Sequence, residues 1–488
     1  MARTASPLVL PAAWGYRQGV VLGIFSFRSF DDMPRNNHID MLNGPILSRL
    51  LLFALPLAMS SVLQQLFNSA DMAVVGHFAG RQAMAAVGGN TAVINLLVNF
   101  FVGLSIGANV VIARCVGLRK AAQANEAVHT SMTLALWSGI FLMFAGIFAA
   151  RPILSHIGTP DDVLDLAVVY LQLYFLGMPF IMFYNFGAAV LRSVGDTRRP
   201  LYILVVAGVI NVLLNLVLVI VFQLSVVGVG VATLIANVVS AGMILRYLLH
   251  EEDIIRLDLR RLRLTREHLS RMVRIGAPAG LQGMVFSLSN VFIQAGINGF
   301  GSSAIAGSAT ALNFEFYSYF LISAFGQAAV TFTSQNYAAC QFDRCDRVFR
   351  LSMFWGLLIT GASCALFAGF AEFFTRLYIA DSDVVPWSVS RIVLVERQEW
   401  LIVFYEIAAA CLRGMGVSLL PALITMAGSC VFRIIWIYTA FAWDPTFETL
   451  MNVYTVSWVL MGVAMLVAYA LVRRKFFIER GGTCVPEE

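Results

Sequence analysis

Two amides and a carboxylate share one face of a helix between residues 64 and 71. Gln64, Asn68 and Asp71 stand at i, i+4 and i+7 within Gln64-Gln65-Leu66-Phe67-Asn68-Ser69-Ala70-Asp71, so a single side of the turn presents all three. The run around them is apolar enough to sit in a bilayer. A charged side chain inside hydrocarbon costs about 2.5–3.5 kcal/mol on insertion scales, which makes it a functional residue by default. A carboxylate there can exchange a proton, or coordinate Na⁺ with the amide oxygens beside it. The plainer alternative is a cap or a pair near the membrane surface.

Glu315 is the second such carboxylate. It lies about twelve residues inside its own run, close to mid-bilayer at 1.5 Å per residue. Tyr319, Ser323 and Gln327 continue its stripe in steps of four. Further amides recur at helical spacing: Gln282, Asn290, Gln294 and Asn298 in one run, Asn95 and Asn99 in another, Asn211 and Asn215 in a third. Interhelical amide bonds average only about 0.6 kcal/mol, so any one of these reads as packing. Together they mark inward faces and candidates for lining a cleft, with Tyr184, Phe314, Tyr317 and Met426 as soft or aromatic additions. A charged hairpin completes the set. Glu399 lies 14 residues before Arg413, and Arg433 lies 16 residues after Val417. Equal depth predicts a structural ion pair of Arg433 with Glu399 or Glu396, leaving Glu406 free.

The elements that must position these residues are membrane spans. The chain of 488 residues is 59% hydrophobic and 12% charged, half the charge of a soluble domain at about 25%. Runs such as Leu201–Phe222 and Val453–Val472 are long enough to cross about 30 Å of hydrocarbon. In lipid they must be helices, because every backbone group needs an internal partner. We read about twelve spans, near 46–75, 83–113, 123–149, 162–190, 199–222, 226–248, 270–300, 304–337, 346–370, 386–412, 417–441 and 448–472. Arginines crowd alternate loops: Arg114 and Arg119; Arg192, Arg198 and Arg199; Arg256 to Arg266; Arg344 and Arg347; Arg413; Arg473 and Arg474. The other loops carry acids such as Asp381, Asp383 and Asp444. That bias puts both termini in the cytoplasm of a cell-membrane protein. The net charge of +5 therefore serves topology and gives no sign of nucleic-acid binding. The seven cysteines are scattered and read as isolated thiols without a metal site.

The sequence repeats. Ala54-Leu55-Pro56-Leu57-Ala58 resembles Gly276-Ala277-Pro278-Ala279, and Ala189-Val190-Leu191-Arg192-Ser193-Val194-Gly195 returns as Ala410-Cys411-Leu412-Arg413-Gly414-Met415-Gly416. Each copy holds six spans, an even number, so the copies share one orientation about an axis along the membrane normal. The organisation expected is an extension over 1–44 outside the fold, an N-lobe over 45–250, a basic linker over 251–269, a C-lobe over 270–475 and a tail over 476–488. Two such lobes leave a cleft whose access can alternate, the architecture of a transporter. An enzyme is not expected: there is no Walker loop, no zinc motif around His250 and no nucleophile constellation. No cofactor is expected beyond a coupling ion, H⁺ or Na⁺. The alternatives are a flippase for lipid-linked precursors, which needs a cationic cavity, and an intramembrane enzyme, which needs a depth-matched catalytic pair.

Together with these spans, Ala54-Leu55-Pro56, Asn68-Ser69-Ala70-Asp71 followed by Val75-Gly76, Leu191-Arg192-Ser193-Val194-Gly195-Asp196-Thr197 and Ser334-Gln335-Asn336-Tyr337 resemble the multidrug and toxic-compound extrusion family from about Asn43 to Lys475. The resemblance implies a monomeric, all-α antiporter that exports small, often cationic, organic molecules. It implies a coupling role for Asp71 and carries Glu315 onto a glutamate that recurs in prokaryotic members. A glutamate of one branch falls on Phe286, and an aspartate of another falls near Asn211 or Asn215, so neither branch's ion transfers.

Overall fold

The computed structural model of the protein describes residues 38–156, 159–251, 254–378 and 381–479. The expected extension up to residue 37 and the tail from residue 480 lie outside the described residues. Seven helices make the first lobe: α1 (Ile46–Phe78), α2 (Gly80–Gly117), α3 (Ala121–His156), α4 (Asp161–Leu176), α5 (Met178–Ser193), α6 (Arg198–Asn215) and α7 (Ser225–His250). The second lobe holds α8 (Arg266–Asn298), α9 (Ser302–Ala338), α10 (Phe342–Gly369), α11 (Ala371–Tyr378), α12 (Val385–Glu399), α13 (Ile402–Gly414), α14 (Leu419–Met426), α15 (Phe432–Tyr438), α16 (Ala440–Trp443) and α17 (Phe447–Arg473).

Two matched breaks convert these helices into six spans per lobe. The fourth span, expected as one helix, is α4 and α5 bent by 45° at Gly177. Its counterpart is α12 and α13, separated at Trp400 and Leu401. The fifth span continues from α6 into a π turn over Leu216–Val221, and its counterpart joins α14 to α15 through a π turn over Ala427–Val431. Gly195 and Gly416 close equivalent turns with φ of +93° and +85°, a left-handed conformation that glycine adopts without a Cβ penalty. Pro56 and Pro278 sit inside α1 and α8 at equivalent places.

Among the described residues, eight helices, or nine counting α4–α5 as one broken span, are long and apolar enough to cross a membrane. The remaining spans, α8, α9 and α12–α13, carry the amides and charges: Gln282 to Asn298, Glu315, and Arg391 to Glu399. The polar content that dilutes them is the content that draws attention as a site. The protein is thus an all-α polytopic membrane protein of two six-span bundles. Cys115, Cys345, Cys364, Cys411 and Cys430 are free thiols as expected. Cys340 departs from that expectation and is disulfide-bonded.

Candidate functional site

In the N-lobe, Asp71 is held from α6, not by the amides of its own face. Asn215 Nδ2 donates to Asp71 Oδ1 at 2.5 Å and lies 3.3 Å from Asn211 Oδ1. Asn211 in turn donates to Thr233 Oγ1 of α7 at 3.3 Å. Asn215 is fully buried and immediately precedes the π turn, a distortion frequent at functional sites. Tyr170 of α4 lies within electrostatic reach of Asp71, with the Tyr174 ring 6.4 Å from its own. Gln64 and Asn68 are exposed and make no hydrogen bond to Asp71. They share its helix, but the chain that supports the carboxylate is Asn215–Asn211–Thr233. Spacing along α1 carried no trace of Thr233 or Tyr170, because both come from other helices.

The C-lobe candidates are charged and buried. Glu315 does not stand alone: Arg391 of α12 donates through Nε to its Oε1 at 2.6 Å and through Nη2 to its Oε2 at 2.9 Å. This bidentate geometry is the strong form of a carboxylate–guanidinium bond. Glu396 takes the Ser318 hydroxyl at 2.9 Å. Glu399 is buried, and its Oε2 has no hydrogen-bond partner. The predicted Arg433–Glu399 pair is therefore not formed, and neither is Arg433–Glu396. Arg433, fully buried, is held by neutral groups: Ser457 at 3.4 Å, Ser289 at 3.3 Å and Asn290 at 3.4 Å. Its guanidinium carbon lies 4.6 Å from the Tyr454 ring centroid and 5.5 Å from that of Phe286. Equal depth fixed the height of Arg433 but not the side of the helix it faces. Nor is Glu406 free, since Arg413 binds it at 2.8 Å and also reaches Gln282 at 3.3 Å.

The other cleft candidates divide into two groups. Tyr184 donates to the Pro200 carbonyl at 3.2 Å, next to the turn after α5. Asn290 and Gln282 serve arginines. Gln294 bonds Asn298 of its own helix at 3.0 Å, while Tyr319 and Gln327 are half-buried on α9. Asn95 and Gln294 are exposed, and their position matters. Just below them, α2 and α8 touch through Asn99 and Ser287 at 3.2 Å, then through paired glycines. A methyl group on Gly103 would lie 2.2 Å from the Gly280 nitrogen, and one on Gly107 2.2 Å from the Met272 carbonyl oxygen. Beyond Asn99 both Asn95 and Gln294 are exposed, while Gln65 of α1 donates to Asn313 Oδ1 of α9 at 3.4 Å across the lobes.

Toward the arginine-rich end the lobes are sealed. Thr331 donates to Asn109 Oδ1 at 3.1 Å, Ser334 to the Val110 carbonyl at 2.9 Å and Gln335 to the Ser193 carbonyl at 2.7 Å. Arg344 of the C-lobe grips the segment before α1, at the carbonyls of Met41 (2.9 Å) and Gly44 (3.0 Å). Ser334-Gln335-Asn336, noticed as a motif, is a seam between lobes.

This arrangement has close parallels among known proteins. The model of the MatE family matches residues 56–217 and 278–439, one match in each lobe. The chain belongs to the MatE family. The two matched stretches begin at Pro56 and Pro278, so the repeat read from the sequence is the family's own. A probable multidrug resistance protein, YoeA of Bacillus subtilis, is 27% identical over 77% of this chain and 82% of its own length. A FAD transporter of Shewanella oneidensis is 25% identical over 71% of this chain and 77% of its own. A solved structure described as the outward-facing conformation of a multidrug resistance MATE family transporter superposes with a TM-score of 0.84, at 22% identity, over 91% of this chain and 99% of that one. The protein is a multi-pass membrane transporter of that family and not an enzyme.

Proposed function

We propose that the protein exports small organic molecules, organic cations among them, across the cell membrane in exchange for protons. The observation that carries this reading is Asp71, an intramembrane carboxylate tied by Asn215 to a buried chain that crosses from α1 to α6 and α7. Asn215 presents an N–H to Asp71, which suits a carboxylate that alternates between charged and protonated. A Na⁺ site would turn amide oxygens toward the ion. The glycine crossing and the seam join the lobes at the arginine-rich end, taken as cytoplasmic by its charge, which supports reading this form as one closed toward the cytoplasm in an alternating-access cycle. A flippase for pyrophosphate-linked lipids fits less well. Arg391 and Arg413 are neutralised by Glu315 and Glu406, and Arg433 is sealed from solvent.

The deciding experiment is efflux from reconstituted vesicles under an imposed pH gradient or an imposed Na⁺ gradient. An ethidium-like cation and FAD serve as test substrates. Efflux that follows the pH gradient alone supports proton exchange, and efflux that follows Na⁺ alone overturns it. The cycle itself is tested at the seam. Gln335→Ala removes one inter-lobe hydrogen bond worth about 1 kcal/mol, so the form open at the arginine-rich end should gain about fivefold in population. Spin labels at the exposed positions Arg119 and Arg347 report it as growth of a longer-distance population. An unchanged distribution would count against the seam as a gate.

A further inference from the structure

The segment joining the lobes is a strap with one face bound to the N-lobe and the other without a partner among the described residues. It leaves α7 at His250 and enters α8 after Thr265. Its backbone is pinned to the first turns of α3. Asn125 donates to the carbonyls of Ile254 and Arg256 at 2.9 and 2.8 Å, and the Asp258 amide donates to His129 at 3.0 Å. Thr265 is anchored to Thr130 and Glu126. Ile255 and Leu257 are buried beneath it. The strap also lies at headgroup depth. The 36 residues of α3 extend about 54 Å at 1.5 Å per residue, whereas the hydrocarbon is about 30 Å thick. The ends of α3 therefore stand among headgroups, and the strap lies on the first of them.

The outer face combines arginine and leucine. Arg256, Arg260, Arg261, Arg263 and Arg266 are exposed, as is Arg274 on the first turns of α8. Between them Leu259 and Leu264 are 49% and 44% exposed. Arg261 pairs with Asp258 and Arg263 with Glu126. Arg256, Arg260, Arg266 and Arg274 form no ion pair among the described residues. Orientation during membrane insertion accounts for arginines, but not for two leucines exposed on the same face. A surface of lipid phosphates over acyl chains satisfies both, because guanidinium binds phosphate in a fork and leucine enters the acyl boundary.

We propose that this inter-lobe strap is a docking surface for anionic phospholipid headgroups of the adjoining leaflet. Arg256, Arg260, Arg266 and Arg274 supply the charge, and Leu259 and Leu264 insert beside it.

The test is thermal unfolding of the full-length protein in neutral detergent, titrated with phosphatidylglycerol or phosphatidylcholine. It needs no transport, so its outcome is independent of the coupling ion. Phosphatidylglycerol should raise the midpoint at a concentration on the order of tenfold lower than phosphatidylcholine, and high salt should shrink that advantage. Converting the four unpaired arginines to glutamine should erase the preference, and converting them to lysine should retain it. Leu259→Ser with Leu264→Ser should weaken the response to both lipids. A wild type that does not distinguish the lipids overturns the proposal. So does a glutamine variant that keeps the preference, or an equal shift with inorganic phosphate. If the glutamine variant does not fold, the salt response of the wild type and the retained preference of the lysine variant decide the question.

Discussion

Asp71→Asn should abolish the response of export to a pH gradient while leaving a folded protein that still binds its substrates. The substitution changes one oxygen for an NH₂ and keeps the shape of the protonated side chain. Its remaining oxygen can still accept the Asn215 Nδ2 hydrogen bond now seen at 2.5 Å, so the α1–α6 contact survives. What is lost is the exchangeable proton. A gradient of one pH unit is worth about 1.4 kcal/mol per proton, or about tenfold in the substrate ratio that one exchanged proton can sustain. In Asp71→Asn that ratio should fall to unity, with substrate binding within about twofold of wild type by the same arithmetic. Asn215→Ala is the companion variant. It removes a hydrogen bond to a charged group, worth about 1.5–3 kcal/mol, and should slow gradient-driven export without abolishing it. Vesicle export and equilibrium substrate binding, measured side by side, separate the two effects. A full tenfold ratio in Asp71→Asn would place coupling elsewhere.

The fold was legible in the sequence because its causes are one-dimensional. Apolar run length, the alternation of arginine between loops and the recurrence of Pro56 at Pro278 all survive without knowledge of neighbours. The site was legible only as far as type and depth allow. Asp71 stands out by being a carboxylate in an apolar run, but its partner Asn215, the Thr233 that continues the chain and the nearby Tyr170 lie on three other helices. The angular position of each helix, which sequence spacing does not give, decides which of them it meets. The charged residues of the C-lobe make the same point. Glu399 and Arg433 agree in depth and yet do not pair. Glu315 and Arg391 each lie 23 residues from the arginine-rich end of their span, at Ala338 and Gly414, and they do pair. Several depth matches existed, and depth alone could not rank them. The breaks at Gly177 and Trp400 re-aim the half-spans and further decouple spacing from contact.

The Glu315–Arg391 pair carries the largest expected change in stability, and an asymmetry. Removing one partner of a buried ion pair costs about 3–5 kcal/mol, because the other charge is left uncompensated. The two directions differ here because acids outnumber bases around the pair. Glu396 and Glu399 both act electrostatically on or with Glu315, and Glu399 is also within reach of Arg391. In Glu315→Gln the guanidinium keeps an amide oxygen in place of the carboxylate and has Glu399 within reach, so the loss should fall at or below about 3 kcal/mol. In Arg391→Met the buried Glu315 loses its bidentate partner, and the loss should reach about 5 kcal/mol. The double variant Glu315→Gln/Arg391→Met should recover part of that loss, since it deletes one charge of each sign. Thermal midpoints of the three purified variants test the order directly: wild type, then Glu315→Gln, then the double variant, then Arg391→Met. If Arg391→Met melted with wild type, or if Glu315→Gln were the least stable, the pair would not be the counter-charge that holds α12 against α9.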